Sequence, residues 1–134
     1  MLVYRVEHPE YTRRRGELWS FPPGPYWCEH EGAAGEVAGR MDKEHSFTPE
    51  RPVWNDAGIC YSAMVCPVAA CVSLSDLRGW FDGFVSDLHY AGFRVSVYDA
   101  VIVQEAQHGL PQAAFDYAAA SLVDTMSLIG DEER

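Results

Sequence analysis

The chain predicts an α+β fold: a single domain over residues 1–134 with a mainly antiparallel sheet and two or three helices. Three observations carry that expectation. Apolar, strand-like runs stand at Leu2–Val6 and Phe93–Tyr98, a hydroxyl-capped amphipathic helix begins after Ser73, and polar connections rich in proline and glycine separate them. With 134 residues, 48% of them apolar and 13% aromatic, the chain can bury a real core without staples and is not a disordered polymer.

The first element is a strand, Leu2-Val3-Tyr4-Arg5-Val6. Arg5 stands out in it, because a guanidinium that cannot lose its charge must find an anion, a carboxylate or water inside an apolar run. Residues 7 to 29 then hold Pro9, Gly16, Pro22, Pro23, Gly24 and Pro25 among Tyr11, Trp19, Phe21, Tyr26 and Trp27. Proline interrupts regular hydrogen bonding while the aromatics demand burial, so this segment reads as a long ordered loop packed on the core. Residues 31 to 44 predict a short helix with Val37 and Met41 four apart, weakened by Gly32, Gly35 and Gly39. Thr48 to Gly58 reads as a polar connection with Pro49, Pro52 and an Asn55-Asp56 turn signal.

Residues 59 to 72 are apolar and small, and Val68 to Val72 predicts a short buried strand after Pro67. Ser73-Leu74-Ser75-Asp76 is the clearest local signal, a capping arrangement in which a hydroxyl meets the third amide of a helix, contributing about 1 kcal/mol. Leu74, Leu77, Trp80 and Phe81 follow at helical spacing. Asp82-Gly83 breaks or kinks that helix, Phe84, Val85 and Leu88 continue its apolar face, and Gly92 suits a C-terminal cap. Phe93 to Tyr98 then alternates as a strand that extends toward Val103. After Pro111, Phe115, Ala118, Ala119, Leu122, Val123, Met126 and Ile129 line up as one face of a helix ending at Gly130.

Charge narrows the function classes. Ten basic and twenty acidic residues give a net charge of -10, which disfavours general binding to nucleic-acid backbones and makes a basic protein surface the more natural partner. The segment from Asp99 to Glu133 holds seven acids and no Lys or Arg. It is either a solvated acidic face or a face that mimics phosphate for a basic groove. No stretch reaches the roughly 18 apolar residues of a membrane span and no signal-peptide pattern opens the chain, so a cytoplasmic protein with no membrane partner is expected. Cys28, Cys60, Cys66 and Cys71 are then expected as buried, reduced thiols.

The candidate sites are sparse. Cys28 and His30 with the other cysteines lack the close pairing of structural zinc sites, so no metal is expected. His8, His30, His45, His89 and His108 carry no nucleophile signature and read as surface or structural histidines. Cys71 beside the capped helix is either a low-pKa thiol or a small core residue, the latter being the better fit. Asp99 and Glu105, on or just beyond the late strand, are either catalytic carboxylates or ordinary exposed acids. Arg13-Arg14-Arg15, with Tyr11 and Trp19 beside it, is a phosphate clamp or a solvated turn.

Val3-Tyr4-Arg5-Val6, the Gly24-Pro25-Tyr26 loop and the helix running from Ser73-Leu74 through Leu77 to Trp80-Phe81 together resemble small proteins of tailed bacteriophages. That resemblance touches elements across residues 3 to 98 and implies a phage protein, acting in the host cytosol. More distantly, the order of elements is similar to the ADP-ribosyltransferase fold. That likeness implies NAD or a related nucleotide as ligand, Arg5 as phosphate anchor, Ser73 as its support, and Gln112 where the family has a catalytic glutamate. Glutamine can bond a ribose hydroxyl but cannot stabilise an oxocarbenium ion by charge, so the likeness favours binding over catalysis. It also turns Gln112 to Phe115 into a strand ahead of a shorter helix.

The resulting expectation is a small acidic binding protein, a counter-defence factor that recognises a nucleotide-derived small molecule or a host defence protein. Its ligand-binding residues are Arg5, Tyr26, Ser73 and Gln112. The alternative is an ADP-ribosyltransferase-like enzyme in which Glu105 stands in as the catalytic acid, and a further alternative is a minor virion or assembly protein.

Overall fold

The computed structural model describes residues 1–10, 13–15, 19–21, 24–25, 32–45, 50–51, 54–60, 62 and 64–129; of residues 13–15, 19–21 and 55–56 only the backbone is described. Its strands are β1 (Leu2–Glu7), β2 (Arg13–Arg15), β3 (Trp19–Phe21), β4 (Pro67–Ala70), β5 (Arg94–Ala100), β6 (Val103–Glu105), β7 (Ala113–Asp116) and β8 (Ala120–Met126). Its helices are α1 (Ala33–His45), the single turn α2 (Trp54–Ala57), α3 (Leu74–Trp80) and α4 (Val85–Tyr90). The strands form two three-stranded antiparallel sheets, in the orders β1-β5-β8 and β4-β7-β6, and a separate β2–β3 hairpin. The α+β expectation holds.

The β1-β5-β8 sheet has two buried faces, and strand alternation decides which residue goes where. Val6 and its partner Val95 face the helices, packing with Val37 and Met41 of α1, Leu77 of α3, Leu88 of α4, and Phe93. Val3 and its partner Tyr98 face the other way, against Val68 and Ala70 of β4 and Phe115 of β7. Each large apolar side chain so buried contributes about 1.5–3 kcal/mol. The sheets are also joined at one point by an isolated bridge, in which the Tyr4 amide reaches the Cys71 carbonyl at 2.7 Å and the Cys71 amide reaches the Tyr4 carbonyl at 2.8 Å.

Several local expectations are met. α1 buries Val37 and Met41 despite its glycines. The Ser73 hydroxyl accepts the Asp76 amide at 3.1 Å and starts α3, and the break at Asp82-Gly83 divides the predicted helix into α3 and α4. Gly92 follows α4 with φ +102, and a Cβ there would stand 2.5 Å from the His8 imidazole, so both backbone and space require glycine.

Others are corrected. The loop expected over residues 7 to 29 contains the β2–β3 hairpin, with Arg13 opposite Phe21 and Arg15 opposite Trp19. No proline lies between Pro9 and Pro22, so every ladder donor is available there. The Asn55-Asp56 turn signal falls inside α2, whose Ala57 carbonyl is bonded by the amides of Gln107 at 2.7 Å and His108 at 3.2 Å. β5 ends at Ala100 rather than Val103, and most of it is buried instead of alternating, because it is the central strand with a layer on each face.

The largest correction lies at the C-terminal end. The predicted helix after Pro111 is instead β7, a 3₁₀ turn over Tyr117–Ala119, and β8. The strand reading of Gln112 to Phe115 is therefore nearly right, but the 3₁₀ turn and β8 stand where the shorter helix was expected. Tertiary pairing overrides helical spacing here. Ala113 and Ala114 are fully buried in the middle of β4-β7-β6, and Asp116 stops the strand by accepting the Ala118 amide at 3.1 Å. β8 then returns along β5, from Ala120 opposite Ala100 to Met126 opposite Val95, with a register shift where Val123 is the extra residue.

Candidate functional site

Arg5 and Glu7 are two apart on β1 and so share the face turned toward the second sheet. Both are buried. The Arg5 Nε donates to Glu7 Oε2 at 2.9 Å and its Nη1 to the Ala69 carbonyl of β4 at 2.8 Å. Tyr98 of β5 donates its hydroxyl to the other carboxylate oxygen, Glu7 Oε1, at 2.7 Å. Tyr98 in turn packs on Phe115 and, edge-on, on Tyr117, with ring centroids 5.3 and 5.6 Å away. Gly24 completes the cover, since a Cβ there would lie 3.1 Å from Arg5 Nη2.

The electrostatics follow from burial. Burial first, and the Glu7 carboxylate second, push the Tyr98 hydroxyl far above the usual phenol range, so it is a donor and not a base. The same two causes raise Tyr117. The cluster thus ties β1, β5 and β4 together through charge-assisted bonds, and both oxygens of its carboxylate are engaged.

The other predicted residues are placed as follows. Ser73 is the cap of α3, half-buried. Gln112 is buried just before β7, where its carbonyl accepts the Ala106 amide at 2.8 Å. Glu105 is exposed at the end of β6, opposite Ala113. Tyr26 lies outside the described residues, as do Cys28 and His30 and the side chains of Arg13, Arg14 and Arg15. The fold does bring three of the predicted segments together. Cys71 bridges to Tyr4 and its thiol points at the Pro111 carbonyl, 3.7 Å away, so Arg5, Ser73 and Gln112 each stand one or two residues from a shared contact. Glu105 joins them only through the β6–β7 pairing beside Gln112.

The cysteines and histidines divide by burial. Cys66 and Cys71 are buried free thiols as expected, whereas Cys60 is exposed, and Ser62 holds its thiol below the usual range. Burial, with Asp76 nearby, pushes Cys71 up to about 12, which rules out the low-pKa thiol at that position. His8 and His45 are buried, His89 is half-buried and His108 is exposed. His45 packs edge-on against Phe84, and burial together with the Arg51 charge lowers it to about 4, so it is neutral at pH 7. Among the described residues no three His, Cys, Asp or Glu side chains gather as a metal site would.

Sequence reasoning singled out Arg5, with Glu7 as one group it could face, but not the residues of other strands that hold the pair. Glu7 was legible in principle, as an acid two residues on along the same strand face. Tyr98 was not, because its approach to Glu7 depends on the antiparallel register that sets Val3 opposite Tyr98. Asp116 was also missed. It is buried, and its carboxylate accepts the amides of Cys66 at 3.0 Å, Ala118 at 3.1 Å and Val65 at 3.2 Å.

Comparison with known proteins adds a family match. A family described as Bacteriophage T4 Y00F protein matches residues 1–129. No curated protein and no solved structure matches the chain. The match bears out the phage part of the resemblance carried by the strand, loop and helix motifs, and lends the ADP-ribosyltransferase likeness no support. Since the match runs through every strand and helix described above, the chain belongs to the bacteriophage T4 Y00F protein family.

Proposed function

We propose that the protein works by binding rather than by catalysis, and that its target is the basic surface of a host protein, in a counter-defence role in the host cytosol. The carrying observation is the use the fold makes of its charge. Arg5, the cation that would have anchored a nucleotide, is buried against Glu7 and the Ala69 carbonyl, while Asp99, Glu105 and Asp124 stand exposed in the segment from Asp99 to Glu133, which has no Lys or Arg. Buried pairs of this kind are structural features in many folds, and a surface with one sign of charge selects partners of the other. Membership of a phage family supports a target drawn from the infected cell.

The test is capture from host lysate on the immobilised chain, with identification by mass spectrometry. A protein with a basic surface should be retained at low salt and lost both at high salt and when Asp99, Glu105 and Asp124 are replaced by Asn, Gln and Asn. Calorimetry against NAD, ADP-ribose and cyclic nucleotides should be silent. Failure to retain any basic protein defeats the reading. Tight NAD binding that disappears in a folded Arg5→Lys protein would replace it with the nucleotide reading.

A further inference from the structure

β8 presents an open strand edge. It is seven residues long, it is last in the order β1-β5-β8, and among the described residues no strand pairs with its outer side. Ser121 to Thr125 are all exposed, Leu122 by 57% and Val123 by 55%. Proteins normally close such edges with lysine, proline or brevity, since unpaired main-chain groups invite another strand. β8 reads Ala-Ser-Leu-Val-Asp-Thr-Met and has neither lysine nor proline. What interrupts it is the bulge at Val123 and Asp124, whose carboxylate accepts the Thr125 amide at 2.8 Å.

We propose that β8 is a docking edge for an extended segment of a partner protein bearing lysine or arginine, which adds to the β1-β5-β8 sheet as a further strand. The proposal rests on the basic-partner reading above and says where and how that partner is held. Charge selects the occupant. A second copy pairing edge to edge would bring a net charge of -10 against another of -10, with an Asp124 from each copy on the joined edges. A basic strand meets the same edge with the opposite sign, and a cation there takes the Asp124 carboxylate and frees the Thr125 amide for the ladder. Main-chain bonds then supply affinity while Leu122 and Val123 give the apolar contact.

The probe is a short peptide alternating lysine with valine or threonine, titrated into the isotope-labelled full chain and followed by NMR. Two control peptides carry glutamate for lysine, or the same lysines with alternate main-chain amides N-methylated. The basic peptide should shift the amides of Ala120–Met126. The N-methylated one should bind about tenfold more weakly, the loss of one or two main-chain hydrogen bonds. Leu122→Lys, at an exposed position, should weaken binding of the basic peptide by about tenfold with an unchanged circular dichroism spectrum. Equal binding of both lysine peptides, shifts confined to other strands, or no binding overturns the proposal. So does a dimer in sedimentation that Leu122→Lys splits, since the occupant would then be another copy. If the lysate partner survives Leu122→Lys and is lost only on neutralising the acids, the edge proposal falls and the basic-partner reading stands.

Discussion

The inter-sheet cluster and the β8 edge use polar groups in opposite ways. At Arg5, Glu7 and Tyr98 the main polar atoms are matched to one another inside the protein, so the cluster works as a fastener between β1, β5 and β4. At β8 a run of exposed residues offers apolar side chains and a carboxylate to the outside. An arginine in an apolar strand looks more like a site in the sequence than the Ser-Leu-Val-Asp-Thr stretch does. The structure reverses that ranking, because a buried charge is informative only once its partner is known.

Removing the carboxylate from the cluster should have the strongest consequence. Glu7→Ala should cost about 3–5 kcal/mol in urea denaturation, since it removes the carboxylate paired with a buried guanidinium and the acceptor of the Tyr98 hydroxyl. Arg5→Leu combined with Glu7→Leu should cost far less than Glu7→Ala alone, because neither charge then remains. A Glu7→Ala cost below about 1 kcal/mol would mean that the cluster does not fasten the sheets.

Asp116 provides the next effect. Asp116→Ala should cost about 2 kcal/mol by leaving the amides of Val65, Cys66 and Ala118 without their acceptor. Burial pushes this carboxyl up, but the three amides together outweigh it and hold it below the usual range. A depressed carboxyl pKa adds stability that is complete above the ordinary value of about 3.9 and is lost as pH falls through the folded value. The acid limb of a stability curve should accordingly be shallower for Asp116→Asn than for the parent, and an identical limb would assign the acid sensitivity elsewhere.

Ser73→Ala should cost about 1 kcal/mol, the usual value of a lost helix cap. If it instead abolishes partner binding at unchanged stability, Ser73 belongs to a binding surface and the division between fastener and edge is wrong. The smallest effect is expected at β8, where Leu122→Lys should change stability by no more than about 0.5 kcal/mol while altering recognition. A loss above about 2 kcal/mol would show that Leu122 is covered in solution.

The legible parts of this fold were those written in local chemistry. Leu2 to Val6 could be read as a strand from its side chains, α3 from the Ser73 cap and the spacing of Leu74 and Leu77, and the end of α4 from Gly92. Of the candidate site, Arg5 was legible as a charge in need of an anion, but Tyr98 and Ala69 come from strands far along the chain. The segment after Pro111 misled because alanine and leucine favour a helix when considered alone. Two of its real partners, β4 and β5, are distant in sequence, and a strand is stabilised by neighbours that no local pattern names.

Composition, caps and motifs act over a few residues, and they suffice for an acidic α+β chain, its first strand, its capped helix and its kinship to phage proteins. That Arg5 is a fastener and that β8 is an exposed edge emerges from the packing of the strands. Both depend on register and on which strand comes last in a sheet, and those are settled by contacts between residues far apart in the chain.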